Sequence, residues 1–332
     1  MKAWVLHGAD DLRFEDRETP KPEKEEVLLH VEAAGICGSD IPRIFDTGAH
    51  VHPIILGHEF AGTVVDCADP ALLGMRMGVF PLIPCKSCDM CRQKQYEMCR
   101  NYNYLGSRCD GAFAEYVRVP VWNLIELPEA VPFKVAAMLE PLAVAVHAMR
   151  RAAVTENDSA VVIGFGTIGM LLATALLAQG IRDITVILNK DFQREKAREL
   201  GVSAVSWDEA GRTAGQVVFE CVGKPETAAL AIEAAAPGGR VVMVGNPHSD
   251  MAFDRNTYWK ILRSQLTVLG TWNSSFTKEP TDDWHAALEL LRDKQELVSR
   301  IITHCLPLEE LETGLHIMRD KTEGYGKILI VR

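Results

Sequence analysis

The sequence predicts an α/β protein of two parts, a β-rich domain followed by a doubly wound parallel sheet. Short β-branched runs broken by glycine and proline fill residues 1 to about 119. From Ser159 onward, strand-like runs alternate with Ala- and Leu-rich helical stretches, which is the pattern of a parallel sheet covered by helices. With 332 residues, the chain exceeds the usual size of one hydrophobic core. We therefore expect two domains.

The strands of the β-rich part are expected at runs that include residues 27–31, 61–65 and 113–117. A helical pattern at 135–151 contains Pro141, which suits a first helical turn. The final strand, Lys327–Val331, is expected to return to the first domain. The predicted domains are residues 1–148 with 274–332, and residues 149–273.

The strands of the second domain are expected at residues 161–163, 184–188, 217–219, 241–244 and 266–269, and a later helix at 283–293. The apolar stretch 160–178 is long enough to cross a bilayer. Glycines at its head and Gly180 just after it favour a buried strand, turn and helix instead. We expect no membrane span.

The overall charge argues against a nucleic-acid partner. The formal net charge is -10 and the pI is near 5.5, so general binding of a phosphate backbone is disfavoured. The chain has nine cysteines, an odd number, and no signal-like amino terminus. These features predict a reducing, cytoplasmic location in which thiols bind metal rather than form disulfides.

Cys37, His58 and Glu59 are candidates for a catalytic metal site, and glycines flank each of them. A thiolate, an imidazole and a carboxylate form the mixed ligand set of catalytic zinc, which keeps a position open for substrate and acts as a Lewis acid. The alternative is that Cys37 is a buried small hydrophobe and His58 a core histidine, as isolated residues of these types usually are.

A second cysteine cluster has the spacing C-x2-C-x2-C-x7-C and consists of Cys85, Cys88, Cys91 and Cys99. Such spacing lets four thiolates surround one ion, as in structural zinc sites. An iron–sulfur cluster is the main alternative. The sequence predicts a structural zinc lobe over residues 85–99.

A G-x-G-x-x-G turn follows a β-branched strand and opens an apolar helix. Its predicted cofactor contacts are Gly164, Gly166, Thr167, Ile168 and Gly169. In this context the motif indicates a dinucleotide site, with the pyrophosphate at the helix amino terminus. A tight turn without a ligand is the alternative.

The expected ribose-binding position lies about twenty residues beyond this turn. It falls on Leu188, followed by Asn189 and Lys190, with Arg194 one turn later. No acid stands where a preference for NAD would require one, and two cations could meet a 2'-phosphate. Asp191 lies slightly too late, although it could take the acid's place if the loop is longer. The sequence favours NADP, although Lys190 and Arg194 could also be a solvated helix start.

The order of these motifs resembles the medium-chain zinc-dependent alcohol and polyol dehydrogenases over nearly the whole chain. The resemblance implies a GroES-like β-rich catalytic domain and a Rossmann cofactor domain. Residues 37–45, 48–50, 56–60, 105–108 and 110–111 are most similar to the branch that acts on sugar-alcohol phosphates such as galactitol 1-phosphate. Alternatives are an unphosphorylated polyol such as sorbitol, threonine, or a non-catalytic zinc-ribbon protein.

The resemblance also implies the metal ligands and their support. Zinc would be held by Cys37, His58 and Glu59, with Glu140 completing the site directly or through water. Asp40 would orient His58. One catalytic and one structural zinc ion per chain are expected, together with NADP or NAD.

The resemblance further implies that Ser39 accepts the substrate proton. Many relatives continue this relay through a histidine at the place of Pro42. The substrate's phosphate end is expected at Arg43 and Arg108, because guanidinium groups bind phosphate oxygens in pairs. Each arginine could instead cover the surface or pair with a local acid such as Asp46 or Asp110.

The remaining expected contacts lie in loops. Ser107 and Asn273 are further substrate candidates. Strand ends of the second domain supply the other cofactor candidates, which are Cys221, Val222, Gly223, Gly245, Asn246, Thr271 and Trp272. A homodimer or homotetramer acting on a small-molecule polyol or sugar phosphate is expected.

Overall fold

The computed structural model describes residues 1–247 and 249–332. The chain divides into two compact units, of which unit 1 comprises Met1–Glu140 and Ser275–Arg332, and unit 2 comprises Pro141–Ser274. The first boundary therefore falls at Glu140 rather than near residue 148, inside the first turn of the helix that joins the units.

Unit 1 is built mainly from strands. They are β1 Lys2–Gly8, β2 Asp11–Asp16, β3 Glu26–Gly35, β4 Ile54–Ile55, β5 Glu59–Cys67, β6 Arg76–Val79, β7 Leu82–Ile83, β8 Asn103–Tyr104, β9 Tyr116–Pro120, β10 Leu124–Glu126, β17 Ile302–Leu306 and β18 Lys327–Val331. A seven-stranded sheet has the order β10-β6-β5-β3-β18-β17, with β9 also paired to β3. Smaller sheets are β2-β1-β4 and β7-β8. The returning strand β18 has the predicted bounds.

In the described chain, unit 1 has three short helices in its first part and two longer helices near the end of the chain. They are α1 Asp40–Phe45, α2 Asp89–Arg92, α3 Phe133–Ala136, α9 Asp283–Ser299 and α10 Leu311–Asp320. Helix α4, Leu139–Arg151, begins in this unit and carries Pro141 in its first turn, as predicted. The helical pattern at 135–151 is thus divided between α3 and α4.

The strand expected at 113–117 is displaced to Tyr116–Pro120. Phe113 is fully buried, but its backbone NH donates to Leu56 and its carbonyl accepts from Trp4, each at 2.9 Å. These two hydrogen bonds go to two separate segments of the chain. Residue 113 therefore does not pair with strand β3, whose pairing with β9 begins at Tyr116.

Unit 2 alternates strands and helices. Its elements are β11 Ala160–Ile163, α5 Thr167–Ala178, β12 Ile184–Leu188, α6 Asp191–Leu200, β13 Ser203–Ser206, β14 Gly215–Glu220, α7 Pro225–Glu233, β15 Ala235–Met243, α8 Arg255–Arg263 and β16 Thr267–Gly270. The strands are parallel in the order β13-β12-β11-β14-β15-β16. This is the doubly wound arrangement that the sequence predicts, and its reversal point lies beside β11.

The apolar stretch 160–178 forms β11, a turn and α5, as predicted. In the described part of the chain, every helix is too short or too polar to cross a bilayer.

Candidate metal and cofactor sites

The four cysteines of the lobe converge on one point between β7 and β8. The Sγ atoms of Cys85, Cys88, Cys91 and Cys99 all lie within 4.8 Å of one another. The Cys85–Cys91 and Cys88–Cys99 sulfur distances are 3.9 and 4.0 Å. A tetrahedron with zinc–sulfur bonds of about 2.3 Å separates its sulfurs by about 3.8 Å. The thiols therefore fit a single zinc ion, whereas a multi-iron cluster needs wider spacing.

The thiols of this quartet differ in their electrostatic surroundings. A hydrogen bond from Ser87, at 3.5 Å, is the main cause that lowers the pKa of Cys85 to about 5. Burial raises the pKa of Cys91 to about 12. Cys85 is therefore already a thiolate that can bind a metal ion. Cys91 keeps its proton until a metal cation replaces it.

The second metal group lies at the start of β5 and just after β3. Ligand atoms of Cys37, His58 and Glu59 lie within 4.8 Å of one another, and both His58 and Glu59 are buried. The three residues share one place because β3 and β5 are neighbours and Gly35 pairs with Glu59. Their sulfur, nitrogen and oxygen donors suit a zinc ion with an open position.

Glu140 faces this group from the first turn of α4, although it lies outside the set of three. Burial is the main cause that raises its pKa, to about 8, and nearby Glu59 and Cys37 add to it. Burial, Glu59 and Asp40 raise the pKa of Cys37 to about 11. A buried site that holds so much potential negative charge fits a bound cation.

Asp40 is fully buried beside His58. Its Oδ2 accepts a hydrogen bond from the Cys37 backbone NH at 2.9 Å, and its Oδ1 lies 3.5 Å from His58 Nδ1. Both Oδ1 and Nδ1 are buried without a hydrogen bond. With Nδ1 turned toward a carboxylate, Nε2 is the ring nitrogen that remains for a metal.

Ser39 and Arg43 meet next to Cys37. The Ser39 hydroxyl donates to Cys37 Sγ at 3.3 Å and accepts from Arg43 Nη1 at 2.8 Å. Arg43 also lies 3.8 Å from Asp40 Oδ1. The guanidinium therefore pairs with Asp40, not with Asp46, and it makes no hydrogen bond through its other nitrogens within the described chain.

Lys327 is the buried cation of the same site, and sequence reasoning did not identify it. Its ammonium forms an ion pair with Glu59 Oε2. Although burial would lower the pKa of Lys327, the negative groups Glu59, Cys37 and Glu140 raise it. A lysine so enclosed stays charged because three potential anions face it.

Arg108 is connected to His58 through the rings of two tyrosines. Its guanidinium is 4.8 Å from the centre of the Tyr102 ring, which meets Tyr104 edge-on, and Tyr104 in turn meets His58. The Tyr104 hydroxyl is 3.5 Å from Glu140 Oε1. Arg108 forms no ion pair with Asp110 or another acid among the described residues.

His50 belongs to the same surroundings. Partial burial and the charges of Arg108 and Arg43 lower its pKa. Ser107, next to Arg108, is buried and donates its backbone NH to Tyr104 at 3.2 Å. Ser107 thus shapes the loop, whereas His50 is an imidazole near two arginines that sequence reasoning missed.

In unit 2, the glycine turn joins β11 to the amino terminus of α5. Gly164 has a φ of +88°, and a side chain there would meet Val222 at 2.4 Å. A side chain at Gly169 would meet the Gly164 carbonyl at 2.1 Å, whereas the space beside Gly166 is open. Thr167 and Ile168 supply the first residues of the helix. The turn can therefore bring the backbone NH groups of the first helical turn close to a pyrophosphate.

A cavity of about 400 Å³ extends from this turn along the carboxyl ends of the strands. Its lining includes Gly164, Leu188, Asn189, Lys190, Gln193, Trp207, Val222, Lys224 and Glu226. No aspartate lies at the end of β12, and two lysines face the space together with one glutamate. A nucleotide with an extra phosphate would meet both lysines here.

The structure does not bring Arg194 to the lining of this cavity, so its role as a cofactor contact stays a prediction. Its charge instead acts on Glu209, which is bonded to Ser206. Lys224, from the loop after β14, is the second cation. Residue 194 lies on the first turns of α6.

The other predicted cofactor residues line or support the strand ends. Gly223 and Asn246 are in close contact, since a side chain at Gly223 would meet the Asn246 carbonyl at 2.1 Å, and Gly245 packs on the Gly223 nitrogen. Buried Glu220, which sequence reasoning missed, accepts from Val222 and Gly223 nitrogens at 2.7 and 2.9 Å.

Several predicted contacts lie outside the lining of the cavity, namely Cys221, Gly223, Gly245, Asn246, Thr271 and Trp272. Burial raises the pKa of Cys221, so its thiol stays neutral. Thr271 donates its backbone NH to Met243 at 3.3 Å, and Trp272 is exposed. Asn273, the predicted substrate contact, belongs to unit 2, and its backbone has a left-handed conformation with a φ of +56°.

Comparison with known proteins identifies related domains and enzymes. Residues 23–129 match the alcohol dehydrogenase GroES-like domain, and residues 167–293 match the zinc-binding dehydrogenase domain. The chain is 36% identical over 330 residues to galactitol 1-phosphate 5-dehydrogenase of Escherichia coli K12, with 93% of each protein covered. It is 30% identical to sorbitol dehydrogenase of Halalkalibacterium halodurans, with 96% of each covered.

Solved structures agree with these matches. The crystal structure of galactitol-1-phosphate dehydrogenase from Escherichia coli superposes with a TM-score of 0.92 at 32% identity, covering 100% of both chains. A zinc-binding dehydrogenase of Sinorhizobium meliloti 1021, bound to NADP, superposes with a TM-score of 0.90 at 26% identity, covering 100% of this chain and 99% of its own.

Proposed function

Because the chain belongs to the zinc-dependent medium-chain alcohol dehydrogenases and is thus an NAD(P)-dependent oxidoreductase, we propose that its substrate is a sugar-alcohol phosphate similar to galactitol 1-phosphate. One observation carries this substrate class. Arg43 lies beside Ser39 next to Cys37, the charges of Arg43 and Arg108 both act on His50, and among described residues only Asp40 pairs with either arginine. Such a cluster suits a dianionic phosphate monoester.

Zinc at Cys37, His58, Glu59 and Glu140 would supply a Lewis acid for the substrate oxygen, and the nicotinamide would exchange the hydride. Asp40 holds the His58 ring in place through Nδ1. These side chains fix the ligand set before substrate arrives, which limits reorganisation during the reaction.

Ser39 Oγ is the proposed acceptor of the substrate proton. It receives one hydrogen bond from Arg43 at 2.8 Å, and a hydroxyl oxygen has a second lone pair for the substrate. Arg43 cannot take a proton onward because a guanidinium is always protonated, and Pro42 has no titratable side chain. The proton therefore passes from Ser39 to water in this proposal.

The phosphate end would bind Arg108, Arg43 and His50. Arg108 has its whole guanidinium fork available, while Arg43 has the nitrogens that do not contact Ser39 or Asp40. The two arginines would then serve different purposes. Arg108 would bind phosphate alone, whereas Arg43 would bind phosphate and also position Ser39.

The experiment compares galactitol 1-phosphate with galactitol, sorbitol and threonine, read by reduced-nicotinamide absorbance. Arg108→Ala should raise the KM for the phosphate substrate about 10- to 100-fold, since a hydrogen bond to a charged group contributes about 1.5–3 kcal/mol. The KM for galactitol should not change. Arg43→Ala should lower kcat as well, through Ser39.

Arg17→Ala, a change at an exposed arginine of the same unit that pairs with Glu15, is the matched control. If wild-type enzyme uses galactitol, sorbitol or threonine as efficiently as galactitol 1-phosphate, that substrate replaces the phosphate ester in this proposal. If the protein neither binds nicotinamide nor turns over any of them, the non-catalytic zinc-ribbon alternative is favoured.

We propose NADP as the preferred cofactor. Lys190 and Lys224 support this preference because both line the nucleotide cavity, whose β12 end lacks a carboxylate. Glu226 at the same cavity would repel the extra phosphate, so the preference is expected to be moderate.

We also propose a homodimer, which could pair further into a tetramer. Strand β16 ends the parallel sheet and has no neighbour on its outer side within the described chain. Exposed large apolar side chains concentrate nearby, at Met251, Phe253, Tyr258, Trp259, Leu262, Val268 and Trp272. An open strand edge can pair with the same edge of a second copy about a twofold axis.

A cytoplasmic location is part of the proposal. All nine cysteines are free in the structure. One of them, Cys37, belongs to the catalytic group, and four others form the structural quartet. Thiols arranged for metal binding are typical of a reducing compartment.

A further inference from the structure

The ion pair between Lys327 and Glu59 spans three strands of the large sheet. Glu59 begins β5, Lys327 begins β18, and β3 lies between them. In the sheet register, Gly35 at the end of β3 pairs with Glu59 on one side and Leu329 on the other. Neighbouring strands lie about 4.8 Å apart, so the lysine side chain must pass over β3 to reach the glutamate.

Gly35 provides the space for this passage. A side chain at residue 35 would lie 2.3 Å from Glu59 Oε2 and 2.7 Å from Lys327 Cε. Both atoms belong to the ion pair itself, so any larger residue would push the pair apart. The glycine is therefore required here for close packing.

The pair is sealed from solvent. The side chains of Lys327 and Glu59 are each only 3% exposed. The Lys327 backbone NH donates to Ile301 at 2.8 Å, which fixes the start of β18. An ammonium and a carboxylate held this way cannot exchange partners with water, so the contact is a permanent part of the site.

Charge balance links the pair to the metal group. Cys37, Glu59 and Glu140, when ionised, carry three negative charges around the position where the ligand atoms converge. A divalent metal neutralises two of them, and Lys327 neutralises the third. Asp40 is balanced separately by Arg43, 3.8 Å away.

We propose that Lys327 is a positioning residue for the metal centre: its ammonium occupies Oε2 of Glu59 and so restricts Glu59 to one oxygen for the metal. A carboxylate with both oxygens available can bind a metal through two atoms. With Oε2 engaged, only Oε1 remains, and a coordination position stays open for the substrate oxygen. Lys327 acts through Glu59 and touches no reactant.

The test replaces zinc by cobalt(II) in full-length enzyme and records visible ligand-field absorption, whose intensity falls as coordination rises above four. Lys327→Met should lower this absorption and slow zinc release to a chelator about tenfold or more, because Glu59 would then hold the metal through a second charged oxygen contact. Lys327→Arg should keep the wild-type spectrum. Lys24→Met removes the same charge from an exposed loop of unit 1 and is the matched control.

A double-variant comparison separates positioning from general packing. In a Glu59→Gln background, Lys327→Met should leave the spectrum and zinc release unchanged, because the carboxylate that it positions is absent. Gly35→Ala should shift the spectrum in the same direction as Lys327→Met, since it keeps both charges and separates them. None of these readouts depends on the substrate.

Lys327→Met leaves Glu59 buried without its partner and can prevent folding. Lys327→Gln, which retains a donor for Oε2, then replaces it, and the same direction of change is expected at smaller amplitude. Spectra and zinc release that match Lys24→Met in either variant would overturn the proposal. So would an equal effect of the Lys327 change with and without the Glu59 carboxylate.

Discussion

The two zinc sites should respond differently to loss of one thiol, and Cys91→Ser is the sharper perturbation. Cys91 is buried at the centre of a lobe whose regular structure consists of the four-residue helix α2 and the two-residue strands β7 and β8. Elements this short do not bury enough apolar surface to hold a fold alone. The lobe should therefore depend on its metal.

The expected loss can be worked out from the geometry. Sulfur distances of 3.9 and 4.0 Å indicate a site that shares its binding energy among four thiolates. Structural zinc contributes about 10–16 kcal/mol in small zinc peptides, so losing one ligand should remove about 3–4 kcal/mol. In a unit of this size about 1 kcal/mol shifts Tm by about 2–4 °C, so Tm should fall by about 10 °C.

Cys37→Ser should behave in the opposite way. The change replaces one buried polar atom in a site supported by the large sheet, so the free energy of unfolding should fall by only about 1 kcal/mol. Turnover should be abolished because the catalytic metal loses a ligand. Scanning calorimetry with metal analysis measures both variants, and Cys305→Ser, at an exposed cysteine outside both metal groups, is the control. An equal fall in Tm for Cys37→Ser and Cys91→Ser would refute this reasoning.

Three further outcomes are expected. Leu188→Asp should reduce the NADP-to-NAD ratio of kcat/KM about tenfold or more, because a carboxylate binds ribose hydroxyls and repels the 2'-phosphate, whereas Leu188→Asn should not; a wild-type enzyme with strong NAD preference contradicts this. Zinc binding to enzyme lacking only the catalytic metal should release about two protons at pH 7, because the pKa of Cys37 is raised to about 11 and that of Glu140 to about 8. Because the folded pKa of Glu140 lies above its ordinary value of 4.5, metal-free enzyme should lose stability as pH rises from about 4.5 toward 8, and Cys37 should add to this loss only above about pH 9. Calorimetry in two buffers that detects no proton release on zinc binding would contradict the expected proton count. Val268→Lys should give a monomer by light scattering while Val65→Lys, at a similarly exposed valine, should not, and an unchanged mass would exclude the β16 edge.

Several parts of the candidate site could be predicted because their geometry is local. The four lobe cysteines lie within fifteen consecutive residues, so their spacing alone limits the distance between their sulfurs. The glycine turn is equally local, since it needs only a strand, a tight turn and a helix in sequence. Apolar runs likewise predicted five of the six parallel strands described in unit 2, whereas the short strand β13, Ser203–Ser206, was not predicted.

Other parts depended on which side chains meet. Arg194 was expected as a second cation at the cofactor cavity, but the cavity lining contains Lys224 from another loop, while the charge of Arg194 acts on Glu209. The strand expected at 113–117 was displaced because Phe113 bonds to two different segments. Residue spacing alone does not show which separate segments of the chain contact each other, and these contacts decided both outcomes.

The sequence by itself determined the two fold types, the cysteine quartet, the glycine turn and the identity of Cys37, His58 and Glu59 as a donor set. Only the tertiary structure decided that Lys327 reaches Glu59 and that Arg43 bonds to Ser39. The physical reason is that these contacts join residues distant in the chain. Strand order and register bring them together, and neither is encoded in the spacing of any single motif.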